Sequence, residues 1–336
     1  MSDLETIFRG VVIRSPVEYE LGGVAFRVPA FSPAPFGGQF SPFAAGVPPL
    51  VGDLQQRLYE HAYTKPLGTH IEDTPPQQSS ESLADALSQA NATRERWDTG
   101  WRIAQFAPNG SVYAQKGAVM RSFAPGLYAT MQGTSPMAGA PVNVYLAKGS
   151  RDMQPGFYHV FGEQPFDDRG LNLTRIYFHI DEAGAPQLIN ALTTSLNRFR
   201  VPFRMKSLSY RGVYTRADAA VLFFPKRSFP IIAQLLGRIR ANVRNHLRPR
   251  VPLMTKRLFD GIALAEDPAN GDSFGTSRCR LIAQAIWDAY TRGEQSDEAR
   301  MQELDMQFTR NGLALARPYL RAGSADTYEI PMELAA

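Results

Sequence analysis

The chain has 336 residues, 44% of them hydrophobic and 20% charged, with a formal net charge of +4 and a single cysteine, Cys279. That composition describes an ordinary globular chain with enough sequence for a sizeable core, and one cysteine excludes an internal disulfide and any multi-cysteine zinc or iron–sulfur site. No apolar run approaches the roughly 18 residues of a membrane span, and the opening MSDLETIF shows no basic segment leading into an apolar stretch, so a cytoplasmic protein without membrane contact is expected. The 36 cations divide into 30 arginines and 6 lysines. A lysine kept in so arginine-rich a chain can do what arginine cannot, which is to lose its proton when its pKa is depressed.

Residues 1–52 are expected to form an extended N-terminal segment. Its stretch VPAFSPAPFGGQFSPFAAGVPPLVG, residues 28–52, is rich in Pro, Gly and Phe and has neither helical nor strand period. Residues 53–336 are expected to form one α+β domain. GDLQQRLYEHAYT places Leu54, Leu58 and Ala62 at helical spacing, with Asp53 as a candidate N-cap. A polar loop, EDTPPQQSS, precedes a short helix, ESLADALSQAN. From about 100 to 180 short alternating runs predict strands in GSVYAQ, PVNVYLAKG, GFYHVFGE and LTRIYFHID.

Helical period returns in PQLINALTTSLNRF, followed by strands PFRMKSL and AAVLFF. A helix from about 230 to 247 has Pro230 near its start and Ile231, Leu235, Ile239 and Val243 on one face. Residues 248–276 read as a long connection without period, then an amphipathic helix begins, and a last helix covers roughly 296–310. This order predicts a mixed, mostly antiparallel sheet with flanking helices in one compact unit.

GxxxxGK[ST], GxGxxG, HExxH, GxSxG and paired CxxC motifs are absent, and the five histidines (His61, His70, His159, His179 and His246) are scattered. Nucleotide hydrolysis, dinucleotide redox chemistry and metal-dependent hydrolysis have no support, and neither cofactor nor metal is expected.

NGDSFGTSRCRLIAQAIWDAY, residues 270–290, runs from a glycine-containing loop into a helix with Thr276 or Ser277 as candidate N-cap. Arg278 and Arg280 then fall in the first turn, where cations oppose the macrodipole by roughly 0.3–1 kcal/mol each. A bound anion reverses that sign, because unpaired backbone N–H groups and two guanidiniums converge on it; pairing with Asp267 or Asp272 is the structural alternative. The preceding loop is apolar enough to be ordered, and it carries Lys256. In LTRIYFHID, alternation sets Arg175, Tyr177 and His179 on one face; in PFRMKSL it sets Arg204 and Lys206 together. These two polar faces could line a wet cleft or meet solvent. YRGVYTRAD adds Arg211 and Arg216, with Asp218 able to orient one of them.

The blocks LSQANATRERWDTGWRI, VPFRMKSLSYRGVYTRADAAVLFF, VPLMTKRLFDGIALAEDP and SFGTSRCRLIAQAI together resemble the HopA-class type III effector family, over about residues 53–328. Relatives of that family include stand-alone proteins of thioamitide and class V lanthipeptide pathways. The first 50 residues show no Ser-rich secretion leader, which favours a biosynthetic relative over a secreted effector. The resemblance implies a phosphoserine/phosphothreonine lyase that works after a Ser/Thr peptide kinase. It removes phosphate by β-elimination from a ribosomal precursor peptide and leaves dehydroalanine or dehydrobutyrine.

That chemistry needs a base for the Cα proton and cations for the charge developing on the carbonyl oxygen and the departing phosphate; it needs no metal or nucleotide. Within the resemblance Lys206 is the expected base, its ammonium disfavoured among cations. Arg216, Lys256, Arg278, Arg280 and Arg211 are the expected phosphate ligands. His179, with Tyr177 or His70 as alternatives, is the expected acid, and NATRERWDTGWR is expected to shape the peptide groove. A non-catalytic, effector-like protein that binds an acidic or phosphorylated protein partner is the competing reading. Nucleic-acid binding through Arg238, Arg244 and Arg248 lacks the stacking aromatics it requires.

Overall fold

The computed structural model describes residues 3–28, 47–68, 82–130, 137–164 and 172–331. Helix α1 (Asp3–Gly10) leads into strands β1 (Val11–Ser15), β2 (Glu18–Leu21) and β3 (Val24–Arg27), a three-stranded antiparallel meander. Residues 3–27 are therefore folded, which corrects the expectation of an extended segment over 1–52. The signal was in VVIRSPVEYELGGVAFR, whose Val11, Ile13, Tyr19, Leu21 and Phe26 are buried. Gly22 and Gly23 both adopt positive φ (58° and 84°) and join paired Leu21 and Val24, the two-residue turn that only glycine-type residues make easily. The Pro/Gly/Phe-rich stretch falls mostly at 29–46, outside the described residues.

Helix α2 (Pro49–Leu58) starts at the proline and passes into a π-helical turn, Tyr59–Tyr63. Asp53 does not cap it; its carboxylate accepts from Tyr19 Oη at 2.5 Å and Arg57 Nε at 3.0 Å. The loop 72–80 lies outside the described residues. Helix α3 (Ala84–Ala90) precedes β4 (Arg96–Phe106), β5 (Val112–Lys116), β6 (Val119–Phe123), β7 (Tyr128–Thr130) and β8 (Pro141–Leu146), which form a five-stranded sheet in the order β6-β5-β4-β8-β7. It has its own small core around Trp101, Ile103, Val112, Val142 and Val144.

The large sheet takes β9 (Gly149–Ser150), β10 (Phe157–Phe161), β11 (Leu173–Phe178), helix α4 (Ala185–Arg198), β12 (Arg204–Leu208), β13 (Ala220–Pro225), helix α5 (Phe229–Val243), β14 (Lys256–Phe259) and β15 (Ile262–Glu266). Its order is β14-β15-β11-β13-β12-β10-β9, with every recorded pairing antiparallel. The hairpin β14–β15 sits inside the stretch expected to be a bare connection. IALAE is buried on both sides, and a strand covered on both faces loses the alternation that betrays one. Helices α6 (Phe274–Thr291) and α7 (Asp297–Arg310) complete the α+β architecture in one compact unit.

The two faces of this sheet differ. On the first face Ile176, Phe178, Leu222, Phe224 and Leu264 pack with α4 and α5 in the main core. On the second face Tyr177, Val221, Phe223 and Ala265 pack against α2 and α6, and that apolar cluster includes no residue of β12 or β10. Beyond its edge the same face becomes polar.

Candidate functional site

Strand register lays out this polar region in two rows. Arg175 of β11 pairs with Phe223 of β13, Phe223 with Arg204 of β12, and Arg204 with Phe161 of β10. Two residues along the strands, Tyr177 pairs with Val221, Val221 with Lys206, and Lys206 with His159. Residues two apart share a face, so the sheet sets Arg175, Arg204, Tyr177, Lys206 and His159 on one surface. The guanidiniums of Arg175 and Arg204 lie 5.3 and 5.1 Å from the Phe223 ring centroid.

Lys206 donates from Nζ to Gln154 Oε1 at 3.2 Å and sits 4.3 Å from the Phe157 ring centroid. Burial, first, and the fields of Arg175, Arg216 and Arg204 push its pKa down from 10.5 to about 8, while Asp218 pulls the other way. About a tenth of this amine is therefore uncharged at pH 7 and about half near pH 8. Next to it, buried His159 makes no hydrogen bond at either ring nitrogen among the described residues. Burial together with Arg204 and Lys206 lowers its pKa to about 4, which keeps the imidazole neutral.

The loop between β12 and β13 supplies the next layer. Arg216 holds Asp218 through two bonds, Nε to Oδ1 at 2.8 Å and Nη2 to Oδ2 at 2.9 Å, and Tyr59 donates to Asp218 Oδ2 at 3.3 Å. Burial works against the Asp218 carboxylate, but Arg216, Lys206 and Tyr59 together hold its pKa below the ordinary value. The expected orienting role of Asp218 thus falls on Arg216. Tyr59 stacks on Tyr63 at 5.3 Å, and α6 packs closely enough that a Cβ on Gly275 would sit 2.5 Å from the Tyr63 ring. Tyr63 and Tyr177 are buried and act on each other, and burial raises both phenol pKa values. Arg175 is ion-paired with Asp267. Arg175 and Arg216 are thus paired with Asp267 and Asp218, and Arg175, Arg204 and Arg216 all act on Lys206.

His179 continues the row of Arg175 and Tyr177. Its Nδ1 lies 3.0 Å from the Arg250 carbonyl oxygen, and its Nε2 is buried and unpartnered among the described residues. A carbonyl only accepts, so Nδ1 carries the hydrogen and neutral Nε2 offers a lone pair. Burial, with Arg248 and Arg250, lowers the His179 pKa despite the Arg250 carbonyl, so the ring resists the protonation an acid requires. His70 lies outside the described residues.

The other expected phosphate ligands do not join this surface. Helix α6 is capped by Ser273, whose hydroxyl accepts from Thr276 N. Arg278 and Arg280 are therefore in the second turn, away from the unpaired N–H groups of the helix start. Arg278 is 1% exposed and donates to the carbonyls of Pro318 (2.7 Å) and Leu320 (2.8 Å) between the Phe274 and Phe308 rings; burial brings even its pKa down to about 10. Arg280 pairs with Asp272 at 2.9 Å, the structural alternative. Lys256 pairs in register with Leu264 of the first-face core, so it lies on the opposite side of the sheet, where it holds Asp326 at 2.9 Å. Arg211 holds Glu182 at 3.5 Å.

His159, Gln154, Phe157, Tyr59 and Tyr63 escaped the sequence reading, and Arg175 and Arg204 were left open between cleft and solvent. Alternation in GFYHVFGE would have put Phe157, His159 and Phe161 on one face, but nothing local says that β10 lies beside β12. Among the described residues no group of three or more His, Cys, Asp or Glu is placed to hold a metal, and no helix is long and apolar enough to cross a membrane.

Residues 149–320, just over half of the chain, match the model of the HopA1 effector protein family. Similar solved structures include two effector proteins. The effector protein from Pseudomonas syringae pv. tomato strain DC3000 is 22% identical, with a TM-score of 0.39 over 49% of this chain and 63% of that one. The effector protein from Pseudomonas syringae pv. syringae strain 61 is 20% identical, with a TM-score of 0.38 over 51% of this chain and 65% of that one. The similarity thus spans less than two thirds of either effector. No curated protein matches.

Proposed function

Since this chain belongs to the HopA1 effector protein family, we propose that it is a carbon–oxygen lyase acting on phosphoserine or phosphothreonine in a ribosomal precursor peptide, after a peptide kinase has installed the phosphate. The observation that carries the reading is Lys206, a half-buried amine with its pKa lowered to about 8 beside Arg175, Arg204 and Arg216. A base near neutrality and preorganised positive charge are the two things β-elimination of phosphate asks of a protein.

In the proposed step Lys206 Nζ takes the Cα proton of the phosphoresidue. The C–H electron pair becomes the Cα=Cβ bond as the Cβ–O bond breaks, and phosphate departs with that bond's electrons, leaving dehydroalanine or dehydrobutyrine. Arg204 and Arg216 neutralise the phosphate, and Arg175 behind Phe223 adds to the field. Arg278, Arg280, Lys256 and Arg211, none of them among the charges that shift Lys206, are left out of this assignment. Tyr177, in register with Lys206 across Val221, is the better-placed donor to the leaving oxygen; His179 presents a lone pair and is set aside as acid. His159 stays neutral and leaves the positive charge to the arginines.

The test is incubation of the full chain with phosphoserine and phosphothreonine peptides, read by mass spectrometry for loss of phosphoric acid. Conversion to the dehydro product is expected. If no peptide, including the natural precursor treated with its kinase, loses phosphoric acid, the lyase reading is wrong; phosphopeptide binding without conversion would then favour a non-catalytic protein for a phosphorylated partner.

A further inference from the structure

The five-stranded sheet β4–β8 lies outside the family-matched residues 149–320, yet it adjoins the site. A cleft of about 500 Å³ separates it from β9 and β10, lined by Arg121, Leu127, Tyr145, Lys148, Met153 and Phe161 among others. Two links tie the cleft to Lys206. Phe161 is the register partner of Arg204, and the guanidinium of Arg121 lies 5.6 Å from its ring centroid. Met153 immediately precedes Gln154, the hydrogen-bond acceptor of Lys206. From strand spacing the Phe161 wall stands about 8 Å from Lys206.

Exposed apolar side chains concentrate in the same region. Of the seven large hydrophobic residues exposed among the described ones, five (Trp97, Phe106, Leu127, Met137 and Met153) lie between positions 97 and 153. Trp97 is 51% exposed and stands edge-on to Tyr145 at 5.6 Å, and Tyr145 lines the cleft. Apolar walls from Leu127, Tyr145, Met153 and Phe161, set among charged groups such as Glu95, Arg121 and Lys148 in a volume usual for ligand sites, suit side chains presented by an extended peptide.

We propose that this cleft holds the polypeptide on one side of the phosphoresidue, taking aromatic or aliphatic side chains from residues about two or three positions away at roughly 3.3 Å per residue. What the peptide carries rests on the lyase reading of Lys206; the cleft's grip on apolar flanks does not. The β4–β8 sheet is on this view the substrate-selecting part of the chain.

The test uses the full-length Lys206→Ala chain, immobilised, and a phosphoserine peptide library randomised on both sides, with retained peptides sequenced. Enrichment of aromatic or aliphatic residues at a fixed place within about three positions on one side is expected. The same chain carrying Leu127→Asp and Met153→Asp should lose that enrichment at least tenfold while unfolding cooperatively at the same temperature. No retention, no positional preference, or a preference unchanged by the two aspartates overturns the proposal. Loss of phosphoric acid is scored separately with the wild-type chain, so the lyase reading and the cleft fail by different measurements.

Discussion

At the start of α6, Arg278 and Arg280 are each matched by fixed acceptors, two backbone carbonyls for the one and Asp272 with Gln55 for the other. Across the same face of the sheet, burial first, and then the fields of Arg175, Arg216 and Arg204, lower the pKa of Lys206, although Asp267 and Asp218 are paired with two of those arginines. Both regions are cation-rich in sequence. The first uses its charge to tie the 318–320 segment to the helix, whereas the second gathers its charge around a half-buried amine. Cation density alone therefore says little; what separates the two regions is whether the cations act together on one titratable amine.

Four experiments press on that contrast. The largest effect is expected from Lys206→Arg, which keeps the charge and removes the ability to give up a proton: phosphate elimination should fall by about 10²–10⁴, the span of general-base contributions. Activity within a few-fold of wild type would remove Lys206 as the base.

Arg278→Met should do the reverse. It leaves the Pro318 and Leu320 carbonyls without donors at about 1–3 kcal/mol each, partly offset by no longer burying a charge. A loss of about 2–4 kcal/mol in denaturant unfolding is expected, with turnover per folded molecule unchanged; a stable variant with poor turnover would restore Arg278 to the phosphate site.

The pH dependence is the third. Elimination should rise about tenfold per pH unit below 8 and level off above it, as Lys206 deprotonates. Its folded pKa of about 8 lies under the ordinary lysine value of 10.5, so between those values the unfolded chain binds more protons. Lys206 should therefore make the fold more stable as pH rises from about 8 to 10.5, and Lys206→Met should abolish that increment in denaturation curves. A limb unmoved by the substitution would assign the titration elsewhere.

Arg280→Ala is the mildest. Its partner Asp272 is buried, but the arginine side chain is 42% exposed, and such pairs contribute at most about 1 kcal/mol; turnover should not change.

The helices around Leu188, Leu192 and Leu196 and around Leu235 and Ile239 were legible because each repeats its apolar stripe over more than three turns. Strands β10, β11 and β12 were legible from alternation, and with them the shared facing of Arg175, Tyr177 and His179 and of Arg204 and Lys206. The hairpin at 256–266 was hidden because Ile262–Glu266 is covered on both sides. The N-terminal meander is masked by the Pro-rich stretch that follows it. The N-cap of α6 was placed three or four residues too late because Ser273, Thr276 and Ser277 are all competent caps, and that small shift carried Arg278 and Arg280 from the imagined pocket into the second turn.

Local pattern settled which residues are helical, which strands have a polar face and that lysine is rare enough for Lys206 to stand out; these follow from periods of 3.6 and 2 and from composition, which need no long-range contact. Strand order, by contrast, arises only when distant segments pair. It put His159 beside Lys206 and set Lys256 behind the sheet, and the packing of distant segments likewise took Arg278 to the 318–320 carbonyls. Partner choice of that kind depends on which surfaces must be buried together, and no stretch of chain carries it alone.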